Sequence, residues 1–207
     1  GGYQEVAAQI AMDDAEMHAV VDQCAEARAE AESALALSRD NVTVEQAGRV
    51  LALCGAAGEA RTLSSGLAAR FPDATLTMRL GRPVIAALLA LQQGDAARAV
   101  QLLEAVRRYD HAPTGKFWAR YVRAQAYLAL RNGRAAADEF RGILDRRGEV
   151  PTSMLYALSQ LGLARALQGT DPGAARTAYA AFLHLWHDAD EDLGPVVAAR
   201  AEVRRFQ

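Results

Sequence analysis

The chain has 207 residues, a formal net charge of −2 at pH 7, and a composition that is 51% apolar but only 6% aromatic. With near-neutral charge, the electrostatic footprint of a nucleic-acid-binding surface is not expected. The longest apolar run, Pro83 to Leu91, is far too short to span a bilayer as a helix. Most of the apolar residues are Ala and Leu, both strong helix formers, and β-branched runs are nearly absent, so the expected class is all-α.

In chain order, Tyr3 to Met12 reads as a short helix with Val6 and Ile10 on one face. Asp13 or Asp14 is placed to cap a second helix reaching about Ser38, with Met17, Val20, Val21, Cys24, Ala31 and Leu35 turned inward. Residues 1–40 are thus expected to form a degenerate N-terminal helical repeat. Val42 to Leu53 and Gly58 to Arg70 make the next pair, ended by Phe71-Pro72-Asp73. Leu76 to Gln92 follows, with Pro83 expected to kink or interrupt it, and Gly94-Asp95 turns into Ala96 to Arg107.

The stretch Phe117 to Arg147 holds two amphipathic helices joined at Asn132-Gly133. Tyr121, Ala124, Leu128 and Leu130 mark one apolar face, and Ala136, Phe140, Ile143 and Leu144 the other. Thr152 or Ser153 caps Leu155 to Gln168, and Asp171-Pro172 opens a partner helix reaching His187. Beyond the acidic turn at Asp188 to Gly194, Pro195 opens a last helix with Val196, Val197, Val203 and Phe206 on one face.

The pairs are in register. Ala60, Ala99, Ala136 and Ala175 recur at spacings of 39, 37 and 39 residues. A small residue precedes each, at Gly48, Ala87, Ala124 and Gly162, and two larger columns follow: Ser64, Leu103, Phe140 and Tyr179, then Leu67, Val106, Ile143 and Phe182. A two-helix unit repeated near this length is the signature of a helical solenoid. The expectation is one continuous α-solenoid of about ten or eleven helices, with four helix pairs over 41–187 and a capping helix over 188–207.

These columns resemble the tetratricopeptide repeat family. The carriers are Gly48, Ala60, Leu67 and Pro72; Tyr127, Ala136 and Phe140; and Leu161-Gly162, Ala175 and Tyr179. The spacing exceeds that family's usual 34 residues, and its first-helix Trp is absent at the matching positions. The C-terminal stretch, with Ala178-Tyr179-Ala180-Ala181-Phe182-Leu183-His184-Leu185-Trp186, is similar to the C-terminal repeat region of some bacterial eukaryotic-like serine/threonine kinases and winged-helix regulators. That resemblance implies a regulatory or partner-binding module. It implies no kinase activity, since the chain has no Gly-rich phosphate loop and no His-Arg-Asp segment.

In tetratricopeptide arrays the first helix of each pair lines a concave groove. Carried over by register, this places Glu45, Arg49, Val84, Leu88, Trp118, Tyr121, Gln125, Tyr156, Ser159 and Leu163 toward a protein or peptide partner, with Arg82 a further charged contact. Trp118 opens its helix and is expected to be exposed, whereas Tyr121 fits groove or core equally. The alternative function is a sensor binding a small molecule or lipid in that groove. A dry apolar pocket would favour the sensor, and an open groove with aromatic and Arg anchors a peptide.

No catalytic residue, metal or cofactor is assigned. His184 and His187 with Asp188 and Asp190 have metal-ligand chemistry, but no third ligand of known position supports it, and histidines near a helix C-terminus are also favoured by the helix dipole. Arg107-Arg108 and Arg146-Arg147 read as solvated residues at helix C-terminal ends. Cys24 and Cys54 lie in separate apolar helices without CxxC spacing, which predicts buried free thiols and favours a reducing, cytoplasmic setting. A periplasmic setting would follow if the region comes after a membrane span in a longer chain.

Overall fold

The computed structural model describes residues 2–112 and 115–205, and over these the chain is all-helical. It divides between Asp95 and Ala96 into two compact units, so the division falls inside the second of the four expected pairs.

The first unit contains α1 (Gly2–Val20), α2 (Cys24–Leu37), α3 (Asn41–Leu53), α4 (Ala57–Arg70) and α5 (Arg82–Gln92). The first break differs from expectation. Asp13 and Asp14 are exposed in the middle of α1, and the turn comes at Val21–Gln23, where Asp22 adopts a left-handed φ of 68°. Asp reaches that region more readily than most residues, so no glycine marks the turn. The expected apolar faces shift with it. Val6, Ile10 and Met17 are exposed, while Ala8, Met12, Ala15 and Ala19 are buried against α2 and α3.

Asp40 caps α3 by accepting from the amides of Val42 and Thr43, and the Thr43 hydroxyl donates to its other oxygen at 2.6 Å. Pro83 does not break the chain's helical path; it changes the winding of the turn before it. A π-helical turn, Thr77–Gly81, runs directly into α5, which accommodates a residue with no N–H to offer the preceding turn.

The second unit contains α6 (Ala96–Glu104), α7 (Trp118–Ala129), α8 (Gly133–Leu144), α9 (Met154–Leu167), α10 (Pro172–Leu185) and α11 (Gly194–Arg204). Caps form where the sequence predicts them: Ser153 accepts from Leu155, and Asp171 accepts from Ala174. At the α7–α8 turn the left-handed residue is Arg131 (φ 57°), not Gly133. Gly133 is the first residue of α8, and a Cβ there would strike the Ala166 carbonyl of α9, so its role is close packing. On α11, Val196 and Ala199 are buried but Val197 is exposed, and Phe206 lies outside the described residues.

The recurring columns are the contact positions within the units. Ala60, Ala99, Ala136 and Ala175 are each fully buried, as are Leu103, Phe140 and Tyr179 one turn later. Phe140 of α8 lies over Gly162 of α9 where a Cβ would collide with its ring. Small residues at one position therefore admit the bulky residues of the neighbouring helix, which is how close-packed interiors avoid voids. Ala136→Leu should destabilise the second unit by about 1–3 kcal/mol through overpacking. The exposed change Arg176→Gln is the control, and equal thermal unfolding of the two variants would contradict the register.

Candidate functional site

The ten groove positions fall into two sets, four in the first unit and six in the second. In the first unit they are not a free surface. Arg49 is buried (3% exposed); its guanidinium donates to Glu16 of α1 at 2.7 Å and approaches Glu45 at 3.4 Å. Glu45 fits against Gly81 of the π-turn, where any Cβ would overlap its carboxylate. Burial raises the Glu45 pKa above the ordinary carboxylate range, and Arg49 and the Thr77 hydroxyl only partly offset that. Val84 and Leu88 are buried in the same unit, and Arg82 donates to the Ser64 carbonyl at 2.9 Å. The expectation that Arg49, Val84 and Leu88 face a groove is therefore corrected: a charge this buried requires partners within its own fold, and it has them.

In the second unit Trp118 and Ser159 are also corrected. Trp118 is 3% exposed, following Phe117, which takes a left-handed φ of 68° and is buried. Its ring meets Tyr121 edge-on at 6.4 Å, and Tyr121 meets Phe140 at 6.1 Å. The half-buried Tyr121 thus bridges two buried rings, Trp118 and Phe140. Ser159 is fully buried and donates to the Leu155 carbonyl one turn back.

Tyr121, Gln125, Tyr156 and Leu163 remain half-buried on α7 and α9, two helices that touch one another. Tyr121 and Leu163 rest on the same apolar cluster of Ala124, Ala136, Phe140 and Ala166. The Arg147 guanidinium lies over the Tyr156 ring at 4.9 Å, a cation–π contact that holds the ring in place.

Two polar assemblies in this unit have no marker in the apolar periodicity. The first is buried beneath α7. Arg123, fully buried, donates to Asp110 at 2.6 Å, to Glu139 at 2.9 and 3.0 Å, and to the Leu103 carbonyl at 3.0 Å. Arg107 pairs with Glu139 at 2.7 Å, and Arg120 reaches Asp110 at 3.4 Å across Gly142. Burial raises the Glu139 pKa, but Arg123, Arg107 and Arg120 outweigh it and leave the group below its ordinary value. This assembly ties the segment after α6 to α7 and α8. Arg107 is exposed, as expected of a solvated residue at a helix end, and also adds an ion pair to the rim of this network.

The second lines an open recess of about 370 Å³ formed by Arg165, Gln168, Glu202 and Arg205. Arg165 donates to both oxygens of Glu202, at 2.9 to 3.2 Å, and the Tyr179 hydroxyl donates to Glu202 at 2.6 Å. Burial and the Glu202 hydrogen bond both push the Tyr179 pKa up. One signal in the sequence does point here, since Arg165 and Glu202 are separated by 37 residues, a repeat length.

His187 is engaged by its neighbours, with Asp188 at 2.9 Å and the His184 carbonyl at 3.0 Å. Among the described residues no group of three or more His, Cys, Asp or Glu is arranged to hold a metal ion, and no helix is long and apolar enough to cross a membrane. Cys24 and Cys54 are bonded to each other rather than free. No protein family, curated protein or solved structure matches the chain.

Proposed function

We propose that the chain is a protein-interaction module whose helices pair in the tetratricopeptide manner, and that it takes a peptide on the α7–α9 face of its second unit. The observation that carries this reading is the set Tyr121, Gln125, Tyr156 and Leu163. These residues are half-buried on two touching helices, with an apolar base beneath them and polar groups at their tips. Aromatic residues held in this way give large contact area at little entropic cost. The polar lining of the recess at Arg165 and Arg205 suits a peptide better than a lipid or an apolar small molecule. The resemblance of the C-terminal stretch to kinase-associated repeats supports a regulatory role in a bacterial signalling protein.

Peptides selected from a random displayed library on the whole chain test this directly. Tyr156→Ala should weaken the selected peptides by about 5- to 30-fold, the 1–2 kcal/mol typical of an interface anchor. Full binding by a folded Tyr156→Ala, Gln125→Ala variant would move the site elsewhere.

A further inference from the structure

Cys24 opens α2 directly after the α1–α2 turn, and Cys54 caps the C-terminal end of α3. Their Cα atoms are 5.4 Å apart, within the usual range for a disulfide, and the bond closes a separation of 30 residues. Both residues are half-buried, so the bond lies near the surface. It joins the α1–α2 hairpin to the α3–α4 pair at one end of the unit.

The fully buried centre of that junction is built on small side chains, and Leu35, Leu53 and Leu63 pack against it only partly buried. Apart from Met12 and Val50, the buried members of the cluster joining α1, α2 and α3 are all alanines: Ala8, Ala15, Ala19, Ala27, Ala31, Ala34 and Ala47. An alanine methyl brings about 0.8 kcal/mol on burial, against about 1.5–3 for a leucine or isoleucine side chain. Polar contacts also cross it, and the Glu16–Arg49 ion pair among them is buried. Glu16 meets Arg49 and Asp13 meets Gln46 between α1 and α3, while the α2–α4 pair Arg28–Glu59 is exposed. The Gln46 side-chain oxygen is buried there with no hydrogen-bond partner among the described residues. By contrast, α3 and α5 interlock without the disulfide, with Ile85 closing on Gly48 and Glu45 seated on Gly81.

We infer that Cys24–Cys54 is a redox-dependent clasp: the α1–α2 hairpin is held firmly on α3 while the bond is formed and opens far more readily once it is reduced, whereas α3–α5 stays folded in either state. The closed first unit then belongs to an oxidising compartment, because reducing compartments keep such thiols unpaired. Reduction by an external dithiol breaks the Sγ–Sγ bond. Two electrons and two protons pass to the two sulfurs, and the dithiol is left as its own disulfide.

Hydrogen exchange read by mass spectrometry, on the whole chain with and without dithiol, tests the clasp. Alkylation before reduction should label neither cysteine, and alkylation after reduction should label both. Reduction should speed exchange of residues 2–37 by on the order of 100-fold, the scale expected when a crosslink closing a loop of this length is lost. Residues 41–70 and 82–92 should change much less. Cys24→Ser, Cys54→Ser should reproduce the reduced pattern without dithiol. The clasp is overturned if the thiols of the oxidatively prepared protein are free, or if reduction leaves residues 2–37 as protected as before. It is equally overturned if α3–α5 opens to the same extent, or if the double serine variant does not fold.

Discussion

Trp118→Ala should destabilise the second unit by roughly 3–5 kcal/mol, the cost of truncating a buried aromatic to a methyl. The ring is 3% exposed and packs edge-on against Tyr121, which in turn packs on Phe140. Removing it opens a cavity at the start of α7 and leaves Tyr121 without lateral support. The expected signature is a large drop in the denaturant midpoint of this unit, with peptide binding lost only as folding is lost. A variant that stays as stable as the parent and binds no peptide would restore Trp118 to the interface and contradict the buried assignment.

Arg123→Ala should be as damaging, at about 3–5 kcal/mol, for an electrostatic reason. Deleting one partner of a buried network leaves the others charged and unpaired. Here Asp110, Glu139 and the Leu103 carbonyl lose their central guanidinium, and only the half-exposed Arg107 and the more distant Arg120 still approach the two carboxylates. Replacing all three side chains together, as Arg123→Met, Asp110→Asn, Glu139→Gln, should recover much of the loss, because the desolvation penalty goes with the charges.

The pH dependence separates this from a simple packing defect. In the parent protein Glu139 is held below its ordinary value of 4.5, so its contribution is fully present above that value and is lost as pH falls through the folded value. In Arg123→Ala, burial acts on Glu139 with one fewer compensating cation, so its pKa rises. Less stability is then lost on protonation, and as pH is lowered from 7 toward 3 the variant should lose less stability than the parent. Denaturant unfolding at the two pH values reads the difference. A variant that loses stability in parallel with the parent would show that Glu139 is not stranded.

What the sequence made legible was the repeated geometry of helix crossings. Ala60, Ala99, Ala136 and Ala175 mark places where backbones approach, and a place that admits only a small side chain leaves a visible column. Side-chain direction was not legible in the same way. Trp118 at a helix start satisfies the pattern for both a groove residue and a core residue. Its burial follows a left-handed Phe117, which no spacing announces. Arg49 shows the same limit, because its partner Glu16 lies 33 residues away on a helix with its own period. The Asp22 turn carries no glycine signal, because an aspartate there adopts the left-handed conformation that a glycine usually marks. The cysteine pair, without a CxxC spacing, could be joined only once α2 and α3 were set side by side.

The claim that a peptide lies across α7 and α9 is tested most directly by amide chemical-shift mapping on the whole isotope-labelled chain, titrated with a selected peptide. The predicted result is a contiguous set of perturbed residues containing Tyr121, Gln125, Tyr156 and Leu163, with the first unit silent. Perturbations gathered instead on the exposed residues of α8 and α10, such as Asp138, Arg141, Arg176 and Ala180, would contradict it.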